Sequence, residues 1–590
     1  MEGYKAINMF ELVRLEDVPE GFTIHDTLWA YKVKLGPDGR LDKLNPRWCV
    51  KGGNMDRGIY RSFEEMMRMS TGKMIFALKG IYYKQLCAFQ TDATDAFQAT
   101  RTDVTDGKGE KPPDFYCKQA AGFIERGKDN VPLVCKVLCY MQGRIDATRG
   151  FGKRFTWLMN KAHFNPCLWD KKAYEYHNTE LTGTAATLTE KIMLAASITP
   201  EQDSPGQHPP KGWAMVGQWV DDQVGNATGN MDPVQNRIVC YMRGILAETY
   251  ATKCSRWKQS LAFVLELNDE EETVTITMPN LLAEQFAKVS RGVQVIAPKH
   301  VMSEKIVDVQ MGDVPPEGDP RRADYLAKQA EVRSIVAANI YLSNAYIKMQ
   351  TPTNILSRYS HNPDPDEVMK HIRHMIFHTV SSPEGLRFGG KHLTKGAEQP
   401  DVLIYPFTKG VKAGYLEWFS DGSLQETSVT GGVAMFGGAA VLNIYQRQHL
   451  KASSSHSVEL VSAGTNLHFL YPINGLLQEW GARQGKPTPF WLDSLSSVYT
   501  VDSAMAVKKS IWLLRRIDCL IEAANDKEIL PLHLSEKDMV ADPFTKYVKL
   551  YTWRRHMHYA CNLEGDPPDA YDLEEAARRL DLAYKKKGEN

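Results

Sequence analysis

The sequence predicts an α+β protein of several domains, and three observations carry that expectation. At 590 residues the chain is long enough for roughly three to five domains of ordinary size. Its 43% apolar and 24% charged residues match folded globular protein rather than the charged, apolar-poor composition of disordered chains. Strand-type and helix-type patterns alternate along it with no internal repeat, so solenoids and propellers are excluded.

Other bulk properties narrow the class. Formal net charge is zero, so any surface for a polyanion has to come from local clustering of Lys and Arg. The ten cysteines form no CxxC pair and no Cys/His cluster at zinc-ligand spacing, which speaks against a zinc domain or a disulfide framework. A reducing, intracellular compartment is expected. The opening MEGYKAINMFELVRLEDVPEG has no apolar core of signal-peptide length, and no later window reaches the apolar run of a membrane span.

Composition also marks breaks. Residues 179–211, ending in ITPEQDSPGQHPPK, collect Pro, Gly, Ser and Thr and read as a long surface insertion. Weaker breaks are VPPEGDPRR (314–322) and FGGKHLTKGAEQP (388–400). Beyond about residue 562 the chain reads as a charged terminal helix that frays in Lys585, Lys586 and Lys587.

Acidic residues sit where strand signals are clearest. WAMVGQWVDDQVGN has the pattern of two short strands joined by a tight turn at Asp221 and Asp222, and LAFVLELNDEEETVTITM (261–278) reads as a second hairpin turning at NDEEE. Helical spacing is plain in FEEMMRMSTGKMIFALKGIYY and from Ala504 to Glu522. Nucleotidyl transfer with two divalent metals needs carboxylates converging from separate segments. Asp221 and Asp222 supply an adjacent pair, and Asp92 in QTDATDAF follows an apolar stretch that would place it at a strand end. An Asp-Asp pair alone is weak, since about one or two are expected by chance in a chain of this size.

The surrounding series is more specific. MFELVRLEDVPEG followed by LWAYKVKLGPDGRLDKLNPRWCVKGG, then QTDATDAF, FYCKQAAGF, VCKVLCYMQGRIDATRGF, FNPCLW and WVDD, stand in order between residues 9 and 222. This series resembles the reverse transcriptase region of copia-type retrotransposon polyproteins, with WVDD where that family has Tyr-Val-Asp-Asp. The resemblance implies a fingers, palm and thumb polymerase followed by a connection and an α/β ribonuclease H-like domain. It implies metal-binding catalytic roles for Asp92, Asp221 and Asp222, with magnesium, or manganese in its place, as the cofactor. It puts the nucleotide beside Arg47, Lys51, Phe97, Gln142 and Gly143. Compact cations suit a triphosphate, and an aromatic ring at Phe97 would exclude a ribose 2′-hydroxyl. Three departures stand out: Trp219 for the family's Tyr, Thr148 for its Pro, and the insertion at 179–211.

A second acid series lies further on. GYLEWFSDGSLQETSVTGGVAMFGG (414–438) combines alternating apolar residues, an Asp and a Gly-bounded second strand, and LKASSSHSVELVSAG, FWLDSLSSV and HLSEKDMVADPFTK follow. These resemble the same family's ribonuclease H segments and imply metal-ligand roles for Asp421, Glu459, Asp493 and Asp542. Ser453 to Ser455 read as helix caps ahead of Glu459, and Asp542 is expected on a C-terminal helix. His456, tempting as a proton shuttle, reads as a surface histidine. VRSIVAANIYLSN, ILSRYSHNP and GLRFGG resemble the connecting segment.

The expected division is fingers and palm over 1–255, thumb and connection over 256–405, the hydrolase over 406–560 and the tail over 561–590. Capsid, protease and integrase segments are expected to lie outside this sequence, as in a truncated element or a processed polymerase. The implied partners are an RNA template, a DNA primer, their hybrid and deoxynucleoside triphosphates, met in the cytoplasm, within particles, and in the nucleus. Two alternatives remain: a decayed or domesticated nucleic-acid-binding relative, and a ribonuclease H-like nuclease with an inert scaffold.

Overall fold

The computed structural model describes residues 1–35, 41–58, 60, 62–102, 111–178, 187–198, 209–393, 405–407, 414–450, 452, 454–482, 486–502 and 513–565. The charged tail beyond 565, Ser453, and residues 504–512 of the helix predicted from Ala504 to Glu522 lie outside them. The architecture is mixed α/β. Among the described residues, no helix is long and apolar enough to cross a membrane.

The chain opens with a small four-stranded sheet and a long hairpin, Thr27–Leu35 against Leu41–Val50. A six-stranded sheet follows, in the order Thr252–Ser255, Cys87–Ala93, Asp222–Ala227, Gly212–Trp219, Ala173–Asn178, Asn165–Pro166. Alternation divides its side chains between two cores. Ala214 and Val216 pack with Phe151, Phe155 and Ile238 from the helices Ala147–Lys161 and Arg237–Leu246. Trp213, Met215 and Trp219 face the opposite way, into a cluster that holds the helix Met69–Ile81.

That helix is shorter than its sequence pattern predicts. Residues 62–68 stay extended because tertiary partners take their polar groups. Trp219 Nε1 donates to the Met67 carbonyl at 3.1 Å, and the Arg68 amide donates to Asp170 Oδ2 at 3.0 Å. The helix proper is buried from Thr71 to Gly80, as befits an element covered on all sides.

The hairpin anticipated at 261–278 is present as Phe263–Asn268 against Thr273–Thr277, extended by Leu386–Gly389. A five-stranded sheet closes the described chain in the order Ala439–Arg447, Val429–Phe436, Glu417–Ser423, Thr488–Leu492, Ile529–His533. Its first three strands are antiparallel and the remainder pair in parallel. The helix Ser455–Trp480 lies on this sheet, capped by Ser454, whose Oγ accepts from the Ser457 amide at 3.2 Å.

The largest buried apolar cluster runs from Met67 to Cys561 and joins one face of the six-stranded sheet to the five-stranded one; the N-terminal sheet and hairpin have a core of their own. The predicted insertion at 179–211 contributes to the largest cluster, so part of it is buried rather than on the surface. Its middle forms the helix Leu188–Ser197 with a Thr187/Glu190 capping box, and Leu188, Ile192 and Ala195 are buried. The Leu188 amide donates to the Gly481 carbonyl at 2.8 Å and Lys191 Nζ to the Trp480 carbonyl at 3.2 Å. The apolar face of Leu188, Ile192 and Ala195 needed a partner surface, and the end of the long helix provides it.

Where the helix Met69–Ile81 meets the strand Leu386–Gly389, glycine stands against glycine. A Cβ on Gly80 would lie 2.7 Å from the backbone of Phe388 and Gly389, and the Gly389 amide donates to the Gly437 carbonyl at 2.8 Å. Backbone cannot yield as a side chain can. Gly80→Ala is therefore expected to destabilise the chain by about 1–3 kcal/mol, with probes in both halves reporting the same shifted unfolding transition. Separate transitions would show that the shared core does not couple them.

Candidate active sites

Asp221 and Asp222 occupy the end of a hairpin pinned from both sides. Trp219 pairs with Asp222, leaving Val220 and Asp221 as a two-residue turn. Val220 has φ of 52°, a conformation that is strained for a β-branched residue and tolerated where surroundings impose it. Those surroundings are explicit. Gln218 Nε2 donates to the Val220 carbonyl at 2.9 Å, the Ala93 amide to the Asp221 carbonyl at 3.2 Å, and Thr91 Oγ1 to Gln223 Oε1 at 2.7 Å.

The same register places Asp92 opposite Asp222 on the neighbouring strand. Their side chains thus leave the sheet on one face at one end, with Lys253 paired to Asp92 on the outer side. Asp222 is half-buried and its Oδ2 accepts from the Leu261 amide at 3.3 Å. Burial, and then the charges of Asp221 and Asp92, push the Asp222 carboxyl up to about 6. Mutual repulsion of this kind favours a bound cation.

Trp219 does not stand over this end. Its ring is buried beside Phe76 and Phe263, and the missing Cβ of Gly72 makes room for it, since one there would lie 2.3 Å from the indole. Thr148 falls in the first turn of the helix Ala147–Lys161, where backbone amides lack helical acceptors and Pro or Thr fits equally well.

Beside the Asp221 turn lies a cleft of about 480 Å³. Arg47, Phe97, Gln142 and Asp221 are on its walls, together with Asp95 and the N-terminal residues Gly3, Tyr4 and Ile7. Arg47 reaches it from the Leu41–Val50 strand and is exposed; Phe97 is half-buried with its ring edge-on to Phe151 at 6.2 Å. Two of the five nucleotide-binding candidates are not on the walls. Lys51 lies just past the strand with its amide bonded to the Asp26 carbonyl. Gly143, with φ of 89°, serves the backbone: a Cβ there would meet the Val50 carbonyl oxygen at 2.0 Å. The N-terminal wall had no signal in the sequence.

The second cluster is drier. Asp421 lies mid-strand in Glu417–Ser423 and is 1% exposed; Glu459, on the long helix, is 6% exposed. Asp493 follows the strand Thr488–Leu492 directly. Carboxylate oxygens of Asp421, Glu459 and Asp493 lie within 4.8 Å of one another, a spacing that Asp92, Asp221 and Asp222 do not reach. Asp542 is buried alongside, but it opens a 3-10 turn, Asp542–Phe544, rather than a helix. Pro543 suits the first position of such a turn, and the following helix begins only at Leu550.

Burial, followed by the charges of Asp421 and Asp493, holds the Glu459 carboxyl well above its usual range; burial and Asp421 push Asp493 up to about 6, and the same two causes raise Asp542. Asp421 Oδ1 and Glu459 Oε2 are buried with no hydrogen-bond donor. Acceptors left bare in so dry a cluster fit a hard divalent cation. The neighbouring turn supplies two residues the sequence did not flag: Thr545 Oγ1 donates to Asp421 Oδ2, and Lys546 Nζ lies 3.1 Å from Asp542 Oδ1. Close packing brings the helix this near. A Cβ on Gly432 would collide with Asn466, whose Nδ2 donates to the Gly431 carbonyl and Ser420 Oγ, each at 2.9 Å. His456, half-buried, bonds Ser496 Oγ through Nδ1 at 3.0 Å.

These raised carboxyl pKa values make the cation-free protein sensitive to pH. Between the ordinary aspartate value of 3.8 and the folded value of about 6 for Asp222 and Asp493, the fold holds protons that the unfolded chain has released. Stability therefore falls as pH rises through that window. Magnesium is expected to raise the melting temperature markedly at pH 8 and little at pH 5, against chelator controls. Equal increments at both pH values would sink this account.

No protein-family model matches the chain, and no curated protein does. Among solved structures it is similar to the foamy viral protease-reverse transcriptase dRH in complex with double-stranded DNA, at 10% identity and a TM-score of 0.41, over 86% of this chain and 65% of that one. The molecule is a mixed α/β protein with two separate groups of carboxylates.

Proposed function

We propose that this chain is an RNA-directed DNA polymerase with ribonuclease H activity, of the copia type, divided into fingers and palm (1–255), thumb and connection (256–405) and hydrolase (406–560). The observation that carries the reading is the pairing of Asp92 with Asp222 beside a cleft lined by Arg47, Phe97, Gln142 and Asp221. Asp221, on the turn beside the paired Asp92 and Asp222, shares the cleft wall with a cation and an aromatic ring, the groups that polymerisation of nucleotides calls for.

In this reading Asp92, Asp221 and Asp222 hold the cations at the polymerase centre, and Asp421, Glu459, Asp493 and Asp542 hold them at the hydrolytic one. Bound magnesium or manganese supplies neutralisation of phosphate charge and a more acidic attacking hydroxyl or water. Arg47 meets the triphosphate of the incoming deoxynucleotide. Phe97 packs against its sugar, and Gln142 lines the same cleft. The primer 3′ oxygen bonds to the α-phosphorus and pyrophosphate leaves. At the hydrolytic centre, water oxygen bonds to a phosphorus of the RNA strand and the bond to the 3′ oxygen breaks, leaving a 3′-hydroxyl and a 5′-phosphate. The partners are an RNA template, a DNA primer and the hybrid they form.

The direct test is extension of a DNA primer on an RNA template with magnesium and deoxynucleotides, where full-length product is expected and its absence would overturn the reading. Phe97→Ala is expected to raise incorporation of ribonucleotides, measured as the ratio of kcat/KM for the two sugars. Unchanged selectivity would remove Phe97 from the sugar pocket.

A further inference from the structure

Asp421 belongs to two pairings within the hydrolytic cluster, and they differ in what stands between the oxygens. Toward Glu459 and Asp493, oxygens approach within 4.8 Å. Toward Asp542, an ammonium is already present: Lys546 Nζ lies 3.1 Å from Asp542 Oδ1 and 3.9 Å from Asp421 Oδ2. The Lys546 side chain is 33% exposed, whereas those of Asp421 and Asp542 are 1% and 4% exposed. Its backbone is tethered, with the Lys546 amide donating to the Asp542 carbonyl at 3.2 Å and adjacent Thr545 bonded to Asp421. The lysine head is therefore delivered to the carboxylates by the same turn that carries Asp542, yet it retains a route to solvent.

We propose that Lys546 is a resident cation at the second of two cation positions, so that the hydrolytic centre binds one divalent ion readily and admits a second only by displacing this ammonium. The proposal rests on reading the cluster as a hydrolytic metal centre. An ammonium contributes a single positive charge and three N–H donors, and its flexible four-carbon stem can swing aside. A second ion entering between Asp421 and Asp542 has to break this ion pair and overcome its repulsion. Among the described residues, no cationic side chain is ion-paired to Glu459 or Asp493, which frame the first position with Asp421.

The test is calorimetric titration with manganese chloride of the full chain carrying Asp92→Asn, Asp221→Asn and Asp222→Asn, which removes the polymerase acids from the count. One bound ion is expected with Lys546 or with Lys546→Arg, which keeps the charge. Two are expected with Lys546→Gln, the second gaining roughly tenfold or more in affinity. Adding Asp421→Asn should abolish the heats, which ties them to this cluster. In parallel, the manganese concentration for half-maximal cleavage of a hybrid should fall roughly tenfold in Lys546→Gln. Equal ion number and affinity in Lys546→Gln and its parent would overturn the proposal. Absence of cleavage by the parent at every manganese concentration would instead overturn the hydrolase reading, and the calorimetry would still decide the role of Lys546.

Discussion

Asp222→Asn is expected to abolish primer extension while leaving degradation of RNA in a hybrid close to wild type. Asp222 shares the end of the six-stranded sheet with Asp92, is half-buried, and carries a carboxyl pushed up to about 6 by burial and by the acids beside it. Asparagine has nearly the same shape, and its carbonyl oxygen can still accept from the Leu261 amide. What disappears is one negative charge from the set that would hold cations against the triphosphate. Neutralising the charge that develops on phosphate oxygens is commonly among the largest contributions to such reactions, and losing one participant costs about 10²–10³-fold or more. The fold should not suffer. A carboxyl whose pKa is raised in the folded protein opposes folding once ionised, so the variant should melt at or above the wild-type temperature in the absence of divalent ions at pH 8. Retained extension at an unchanged melting temperature would make Asp222 a surface acid and remove the polymerase reading.

The complementary loss is expected of Asp421→Asn: no cleavage of the RNA strand in a hybrid, with primer extension nearly intact. Asp421 is 1% exposed in the central strand of the five-stranded sheet and takes part in both pairings of the acid cluster. Its replacement strips one ligand from each cation position at once, so a loss of about 10³-fold or more in hydrolysis is expected. The measurement is release of labelled RNA fragments, with extension run on the same preparation. The common core complicates a naive reading, because residues from both halves pack in one apolar cluster. A variant that unfolds would lose both activities. Comparing its melting temperature with wild type separates the cases: loss of both with an unchanged melting temperature would mean that the halves engage the hybrid as one unit, and full cleavage would reduce Asp421 to a structural acid.

Much of the site was legible because its signals are local. An Asp pair between two apolar alternating runs specifies a hairpin with acids at its end, and a two-residue spacing admits few other turns. Asp92 and Asp493 each end a short apolar strand run, and Ser454 ahead of a long apolar stretch marks a helix start that puts Glu459 on the second turn. What failed was also systematic. The helical spacing from residue 63 onward ignored that Trp219 and Asp170 would claim the backbone of Met67 and Arg68. The Pro- and Gly-rich borders of 179–211 concealed a helix whose apolar face is useful only against Gly481 and Trp480. Lys51 and Gly143 are a different matter: their proposed place with the nucleotide stands, although neither is on the cleft wall.

By itself, then, the sequence determined the mixed α/β class, the strands that carry acids and the order in which seven candidate carboxylates occur, since each depends on propensity and spacing within a few residues. Only the tertiary structure decided which of those acids share a face, that Trp219 belongs to the core, that the N-terminal residues wall the cleft, and that Lys546 lies between Asp421 and Asp542. The reason is physical: register across strands, and the return of a turn onto a distant strand, are set by packing between segments more than a hundred residues apart, and no local pattern encodes that distance.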